Sequence, residues 1–454
     1  MRTQPDLSFP IPPASLAEAR RPNRPVRVPF TEEASKAELV CPLGAYERVF
    51  HRFMEEFPMH FSLVAELAGA FGPEQLRRAL VAVQHRHPLL SVHIEDHPGT
   101  RLGYYRAAVV PPIPLTVLDT DLSWEQVAAE ELTKVFEPTA APLLRVLLLR
   151  RGPATATLVL TFDHAIADGK SSVFVLQDIV TVLNGQPLAV LPVPPSRETL
   201  LARRPASVGG PAEAAAPPAP DWLMAPGTLR PFDGALPEVT SLAFSEALTS
   251  QLMQRCRTEH TTVHAALVAA ASLVLASVGQ RPRVRVMSPI DIRALLGAER
   301  DCAMYFNSTR TVYSAEQPQP FWELARATSA QLAQGRAEST TRFTSALMEQ
   351  MIPVEADHDT TKSLFLAGNS FELFISNLGR LDEPKLGAIR PTAIWGPVIL
   401  TQLQDELALG VATLHGQLRL VNTSHAPISN FLALIRDLLT TQLAEPTAGI
   451  KAAA

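Results

Sequence analysis

Thr157-Leu158-Val159-Leu160-Thr161-Phe162 is a short apolar run, and Asp163-His164-Ala165-Ile166-Ala167-Asp168-Gly169 follows it directly. A run of this length and composition reads as a strand buried on both faces. Downstream, Ser171 to about Leu183 reads as a helix, closed by Asn184-Gly185. The residues in between form a strand-to-helix junction, which projects side chains from the rim of a sheet. An imidazole there, with an ordinary pKa near 6.5, accepts a proton at neutral pH. Asp168 follows His164 by four residues, and Gly169 permits a sharp bend or a close approach. With twelve histidines in 454 residues, chance predicts roughly 0.03 occurrences of His-x-x-x-Asp-Gly in the chain. A lone histidine reads as a satisfied core residue. The spacing after an apolar strand makes His164 a candidate general base.

Working outward, Leu143 to Leu149 is a second apolar run, separated from the first by Arg150-Arg151-Gly152-Pro153, and reads as a neighbouring strand. Upstream, a helix is expected from Ala45 to about Glu56 and a strand from His60 to Leu67. Gly72-Pro73 opens a helix, Glu74 to His85, and Leu89 to Glu95 reads as extended. From Leu188 to Pro231 the chain turns to Pro, Ala and Gly, the composition of a mobile linker. Four segments follow: an irregular arm over 1–35, a first half over 36–190, a linker over 191–231 and a second half over 232–454. Strands Val239 to Phe244, Val284 to Met287, Ser308 to Val312, Phe371 to Ser376, Glu406 to Leu414 and Gln417 to Asn422 alternate with helices in the second half. The class is α/β (α+β), and no fixed short repeat indicates a solenoid.

Composition narrows the function. The chain is 46% hydrophobic and 19% charged, which suits buried cores rather than disorder. A net charge of −5 with interleaved signs gives nucleic-acid binding no support. Cys41, Cys256 and Cys302 are far apart and in no CxxC spacing, so they read as free thiols in a reducing compartment. The N-terminus has no apolar signal-peptide core, and Val263 to Val278 is too short for a membrane span. The expectation is a soluble cytoplasmic protein. His260 and His264 have metal-ligand spacing but no interior Glu and no third ligand, so no metal is expected. No GxSxG elbow marks an esterase, and no P-loop or GxGxxG marks a nucleotide cofactor. Arg281, Arg283 and Arg285 read as a solvated face rather than a landing site for an acidic carrier or a coenzyme A phosphate.

The HxxxDG segment resembles the HHxxxDG signature shared by condensation domains of non-ribosomal peptide synthetases, polyketide-associated acyltransferases (the phthiocerol dimycocerosyl transferase group) and alcohol acetyltransferases. Leu76 to Leu90 is similar to the family's first helix and following strand, and Pro142-Leu143-Leu144-Arg145-Val146 to the lead into the motif. Pro289-Ile290-Asp291-Ile292-Arg293 resembles the second-half DxR element, and Tyr305-Phe306-Asn307-Ser308 the strand with a channel Asn. Ser376-Asn377-Leu378-Gly379 resembles the SNxG segment of the polyketide-associated group.

The resemblance implies two chloramphenicol-acetyltransferase-like halves in a V-shaped pseudo-dimer, with an active-site tunnel between them. It implies that His164 deprotonates an acceptor hydroxyl or amine, which attacks an acyl thioester directly. Asp168 is expected to pair with Arg293 and, with Gly169, to support the loop, while Asn307, Ser376 and Asn377 line the channel. The expected activity is ester formation from acyl-CoA or an acyl carrier protein as substrate, with no cofactor. The alternatives are an amide-forming condensation enzyme and a non-catalytic docking domain. The chain departs from the signature at its first His, which here is Asp163. If the Asp163 carboxylate lies close to the base, its charge raises the pKa of His164.

Overall fold

The two apolar runs on either side of Arg150–Pro153 form a hairpin at the centre of a five-stranded sheet, and the first half is built around it. This computed structural model describes residues 37–96, 102–204, 225–382 and 387–446. The expected arm over 1–35 and positions 205–224 of the expected linker lie outside the described residues.

In the first half the strands are β1 (Glu38–Pro42), β2 (Phe61–Ala68), β3 (His93–Glu95), β4 (Gly103–Arg106), β5 (Leu115–Leu118), β6 (Leu144–Gly152) and β7 (Thr155–Phe162). In the second they are β8 (Glu238–Ala243), β9 (Arg283–Asp291), β10 (Phe306–Ser314), β11 (Leu373–Arg380), β12 (Arg390–Ile399), β13 (Leu407–Leu414) and β14 (Gln417–Ser424). One sheet has the order β12-β2-β7-β6-β5, the other β10-β9-β11-β13-β14-β8, and β1, β4 and β3 make a small third sheet. Leu158, Val159, Leu160 and Phe162 of β7 are fully buried, as expected of a central strand covered on both faces.

β12 departs from the segment boundaries read in the sequence. It belongs to 232–454 by position, yet it leaves the second half and extends the first-half sheet, with Ile394 opposite Ala65 and Trp395 opposite Val64. Trp395 stacks on Trp124 at 5.3 Å between ring centroids, and its indole N–H donates to Glu66 Oε1 at 2.7 Å. The crossing is tight. A Cβ on Gly410 of β13 would lie 2.2 Å from the Pro397 carbonyl oxygen, so only glycine lets the two strands pass.

The expected linker is also partly structured. Residues 197–202 form a short helix capped by Ser196, whose hydroxyl accepts from the Thr199 amide at 3.2 Å. Arg197 on it is fully buried. Leu89 to Glu95 is not extended throughout: Pro88–Ser91 is a 3₁₀ turn, started by a proline whose fixed φ suits it, and only His93–Glu95 is strand. Two helices unmarked in the sequence reading, Glu338–Met351 and His358–Asn369, pack against the first-half helix Ala45–Met54.

The alanine-rich helix Val263–Val278 forms as expected and packs inside the second core. Among the described residues, no single helix is long and apolar enough to cross a membrane. The first core does not stop at the boundary between halves. It runs from β2, β6 and β7 into Met287, Phe371, Phe374 and Leu378.

Candidate functional site

β7 ends at Phe162, and the helix Gly169–Leu183 begins after the turn that carries the motif. Asp168 is the N-cap of that helix, its Oδ1 accepting from the Ser171 amide at 2.9 Å. The same carboxylate reaches the second half. Arg293 Nη1 donates to Oδ2 at 2.8 Å, Arg293 Nη2 donates to Oδ1 at 3.0 Å, and the Tyr305 amide donates to Oδ2 at 2.9 Å. Burial pushes the Asp168 pKa up, but the Arg293 charge and these donors outweigh it and hold the group below the usual carboxylate range. The expected Asp168–Arg293 contact is therefore present, and it ties the motif to the second half. Asp291 also accepts from Arg293 Nη1, at 3.0 Å.

Gly169 packs where the halves meet. A Cβ there would stand 2.8 Å from a Leu378 methyl, so a larger residue would push the SNxG segment away.

His164 lies in the wall of a cavity between the halves. Rings of Phe50, Phe61 and Phe306 lie 4.9, 5.1 and 5.8 Å from its ring, centroid to centroid. Its Nδ1 is sealed from solvent without a hydrogen bond, which leaves Nε2 as the nitrogen with access to the cavity. Burial pulls the His164 pKa below its ordinary value, and the His164 and Ala167 backbone and the Asp168 charge offset only part of this.

Asp163 is not among the groups that shift the His164 pKa, which burial dominates. Asp163 is buried inside the turn, where its Oδ1 accepts from the Ala165 amide at 2.8 Å, and it does not line the cavity. Burial pushes its own pKa up to about 6, against the pull of the Ala165 amide and Arg145.

Ser376 and Asn377 line the cavity as expected, and the Asn377 side-chain Oδ1 accepts from the Gly379 amide at 2.8 Å. Asn307 does not line it. Side chains alternate along a strand, and on β10 Phe306 and Ser308 take the cavity face, leaving Asn307 on the other. There it is buried and fully engaged: Oδ1 accepts from Arg197 Nη2 at 2.7 Å, and Nδ2 donates to Gly335 O at 2.9 Å and Thr341 Oγ1 at 2.7 Å.

The sequence reading missed most of the apolar lining: Phe50, Met59, Phe61, Phe365, Phe371 and Phe374 come from separate elements and loops, and only their convergence makes them a set. It also missed Lys170, which lines the cavity one residue after Gly169.

Other sequence candidates are absorbed by structure. His264 Nε2 pairs with the Ser288 hydroxyl at 3.0 Å, and among the described residues no group of three His, Cys, Asp or Glu is placed to hold a metal. Arg285 is not a solvated residue: it is buried against Glu372 at 2.7 Å. Arg283 pairs with Glu316 at 2.8 Å. The three thiols are unpaired, and burial pushes Cys302, the one that contacts the motif, up to about 12.

Two family models match this chain, the condensation domain over residues 48–198 and the phthiocerol/phthiodiolone dimycocerosyl transferase C-terminus over 233–388. Among curated proteins, a plipastatin synthase polypeptide of Bacillus subtilis (strain 168) is 25% identical over 272 residues, 57% of this chain and 10% of that protein. Cyclosporin synthetase of Tolypocladium inflatum is 29% identical over 136 residues, 30% of this chain. The chain thus spans a tenth or less of these relatives' length. Polyketide synthase associated protein 5 from Mycobacterium tuberculosis superposes with a TM-score of 0.62 at 20% identity, covering 90% of this chain and 98% of that one. The condensation domain of the Monacolin K polyketide synthase gives 0.61 at 12% identity, covering 91% and 99%. With one model on each half and the whole fold shared with both structures, the chain belongs to the condensation-domain superfamily, as a pseudo-dimer of two chloramphenicol-acetyltransferase-like halves.

Proposed function

We propose that the protein is an acyltransferase that moves an acyl group from a thioester, on coenzyme A or an acyl carrier protein, to a hydroxyl acceptor. The observation that carries this reading is a neutral-leaning His164 facing an apolar cavity roofed by both halves. With its proton on Nδ1, the ring presents the Nε2 lone pair to the acceptor. The hydroxyl loses its proton to Nε2 as its oxygen bonds to the thioester carbonyl carbon. The resulting oxyanion collapses, the C–S bond breaks, and the sulfur leaves with the proton held by His164, giving an ester and a thiol. Ser376 and Asn377 line the same cavity, and in this reading the Ser376 hydroxyl and the Asn377 side-chain amide donate to the oxyanion. Asp168 and Gly169 hold the loop, with Arg293 as the tie. No cofactor is needed, because the thioester is already activated.

The aromatic walls favour an apolar acyl or ring substituent next to the reacting atoms. The likeness to peptide synthetases favours amide formation as the second reading. Incubating purified protein with a panel of acyl thioesters, alcohols and amines separates the two by product mass. Ester products are expected. Amides without esters would overturn the hydroxyl acceptor, and failure of every thioester to transfer would leave the non-catalytic docking alternative.

A further inference from the structure

Lys170 lines two spaces at once, the cavity that holds His164 and a second, open groove. The floor of the groove is one face of the helix Gly169–Leu183, from Lys170 through Phe174, Gln177 and Asp178 to Thr181. Its opposite wall comes from the second half and carries Arg300 and Arg380. A ligand lying in the groove therefore meets Lys170 at the point where groove and cavity adjoin.

The charges around this point are unevenly committed. Asp168 is taken by Arg293, Ser171 and the Tyr305 amide. Asp291 is taken by Arg293. Asp178 is taken by Arg86, His87 and Arg300 at 2.7, 2.8 and 3.3 Å. Asp382 also lines the groove, and its charge, like that of Asp291, acts on Lys170 from beyond ion-pair distance. Lys170 itself makes one hydrogen bond, from Nζ to the Leu378 carbonyl at 2.6 Å, and no ion pair among the described residues. An ammonium has three donors, so two remain for a ligand. A partly buried cation without a direct counter-ion is costly, and an anion seated there supplies one.

We propose that Lys170 anchors an oxyanion, a carboxylate or phosphate carried by one of the two substrates, which lies in the groove along the helix Gly169–Leu183. The substrate is then amphiphilic, with an apolar part among the phenylalanines of the cavity and an anion at its mouth. Lys170 selects this substrate and takes no part in proton transfer. That the bound anion is a substrate rests on the acyl-transfer reading. The binding site itself does not.

The test is calorimetric titration of the full chain, wild type and Lys170→Met, with 3-(4-hydroxyphenyl)propanoate and with its methyl ester. A second pair, 4′-phosphopantetheine and pantetheine, asks whether the anion belongs to the thioester donor instead. In one pair, the wild type should bind the anion more tightly than its neutral counterpart. Lys170→Met should weaken that anion by about tenfold or more, as expected for losing a charge-assisted hydrogen bond. The neutral ligand should change little, and Lys170→Arg should keep most of the preference. Should Lys170→Met fail to fold, Lys170→Gln removes the charge while keeping a donor for Leu378. Equal losses for anion and neutral ligand would overturn the proposal. So would a wild type that binds neither anion below about 10 mM more tightly than its neutral partner. Repeating the titrations in His164→Ala keeps the two readings apart: the charge preference should persist there whether or not acyl transfer does.

Discussion

Asp168 and Arg293 meet across the junction of the two halves in a two-pronged ion pair, Nη1 2.8 Å from Oδ2 and Nη2 3.0 Å from Oδ1. Both side chains are buried, and the same carboxylate caps the helix that follows the motif. Removing either partner strands a buried charge, so Asp168→Ala and Arg293→Ala should each destabilise the protein by about 3–5 kcal/mol and lower activity. In a double-mutant cycle by urea denaturation, the double variant should lose less than the sum of the singles, by about 1–3 kcal/mol. Strict additivity would break the link between the halves proposed for this pair.

His164→Ala should lower the chemical step by about 10²–10⁴ while the circular dichroism spectrum shows the fold intact. Incubation with thioester alone should leave the intact mass of the wild type unaltered, since the one thiol that contacts the motif is held protonated by burial. A stoichiometric acyl adduct, discharged by acceptor, would sink direct attack.

The pH profile follows from burial of the base. His164 must be neutral to accept a proton, and its pKa lies below the ordinary value. kcat/KM should therefore rise with pH through a midpoint under 6.5 and be level at neutral pH. The unfolded chain binds a proton there more readily than the folded one. His164 thus contributes stability above about pH 6.5 that is lost as pH falls. His60 and His264, both lowered to about 4 chiefly by burial, act in the same direction between about 6.5 and 4. An acid limb centred above pH 7 would mean that another group governs the step.

Asn307→Ala should behave as a structural lesion. It leaves Arg197 and the Gly335 carbonyl short of partners, at about 1–3 kcal/mol for a buried polar group left unsatisfied. Substrate preference should be unchanged, because the side chain is off the cavity. A shift in acyl selectivity without loss of melting temperature would return Asn307 to the channel.

Glu47 is buried, and desolvation, reinforced by the Glu198 charge, pushes its pKa up to about 8. Its folded value lies above the unfolded one. Its contribution is therefore complete below about pH 4.5 and is lost as pH rises through 8. Glu47→Gln cannot ionise, so its melting temperature relative to wild type should climb between pH 5 and pH 8. A difference independent of pH would show that Glu47 is ionised in the folded protein.

The strand–turn–helix around His164 was legible in the sequence because each of its signals is local. Leu158 to Leu160 and Phe162 are apolar, Gly169 permits the bend, and Asn184-Gly185 ends the helix. The pairing of Asp168 with Arg293, 125 residues away, came from resemblance and was then met by geometry. What the sequence left open concerns faces and crossings. Asn307 and Phe306 are neighbours in the chain, and only the pleat of β10 decides which of them sees substrate. Arg390–Ile399 lies in the second half by position and was not marked as a strand in the sequence, and only the glycine-permitted crossing at Gly410 and the stacking of Trp395 on Trp124 carry it into the first sheet. Arg197 sits in a proline-rich stretch with the composition of a linker, yet the pocket formed by Ser345, Asn307 and the Phe306 carbonyl buries it. Local composition fixes what a segment can form by itself. Which side chains converge depends on packing between segments hundreds of residues apart, and no short-range pattern records that.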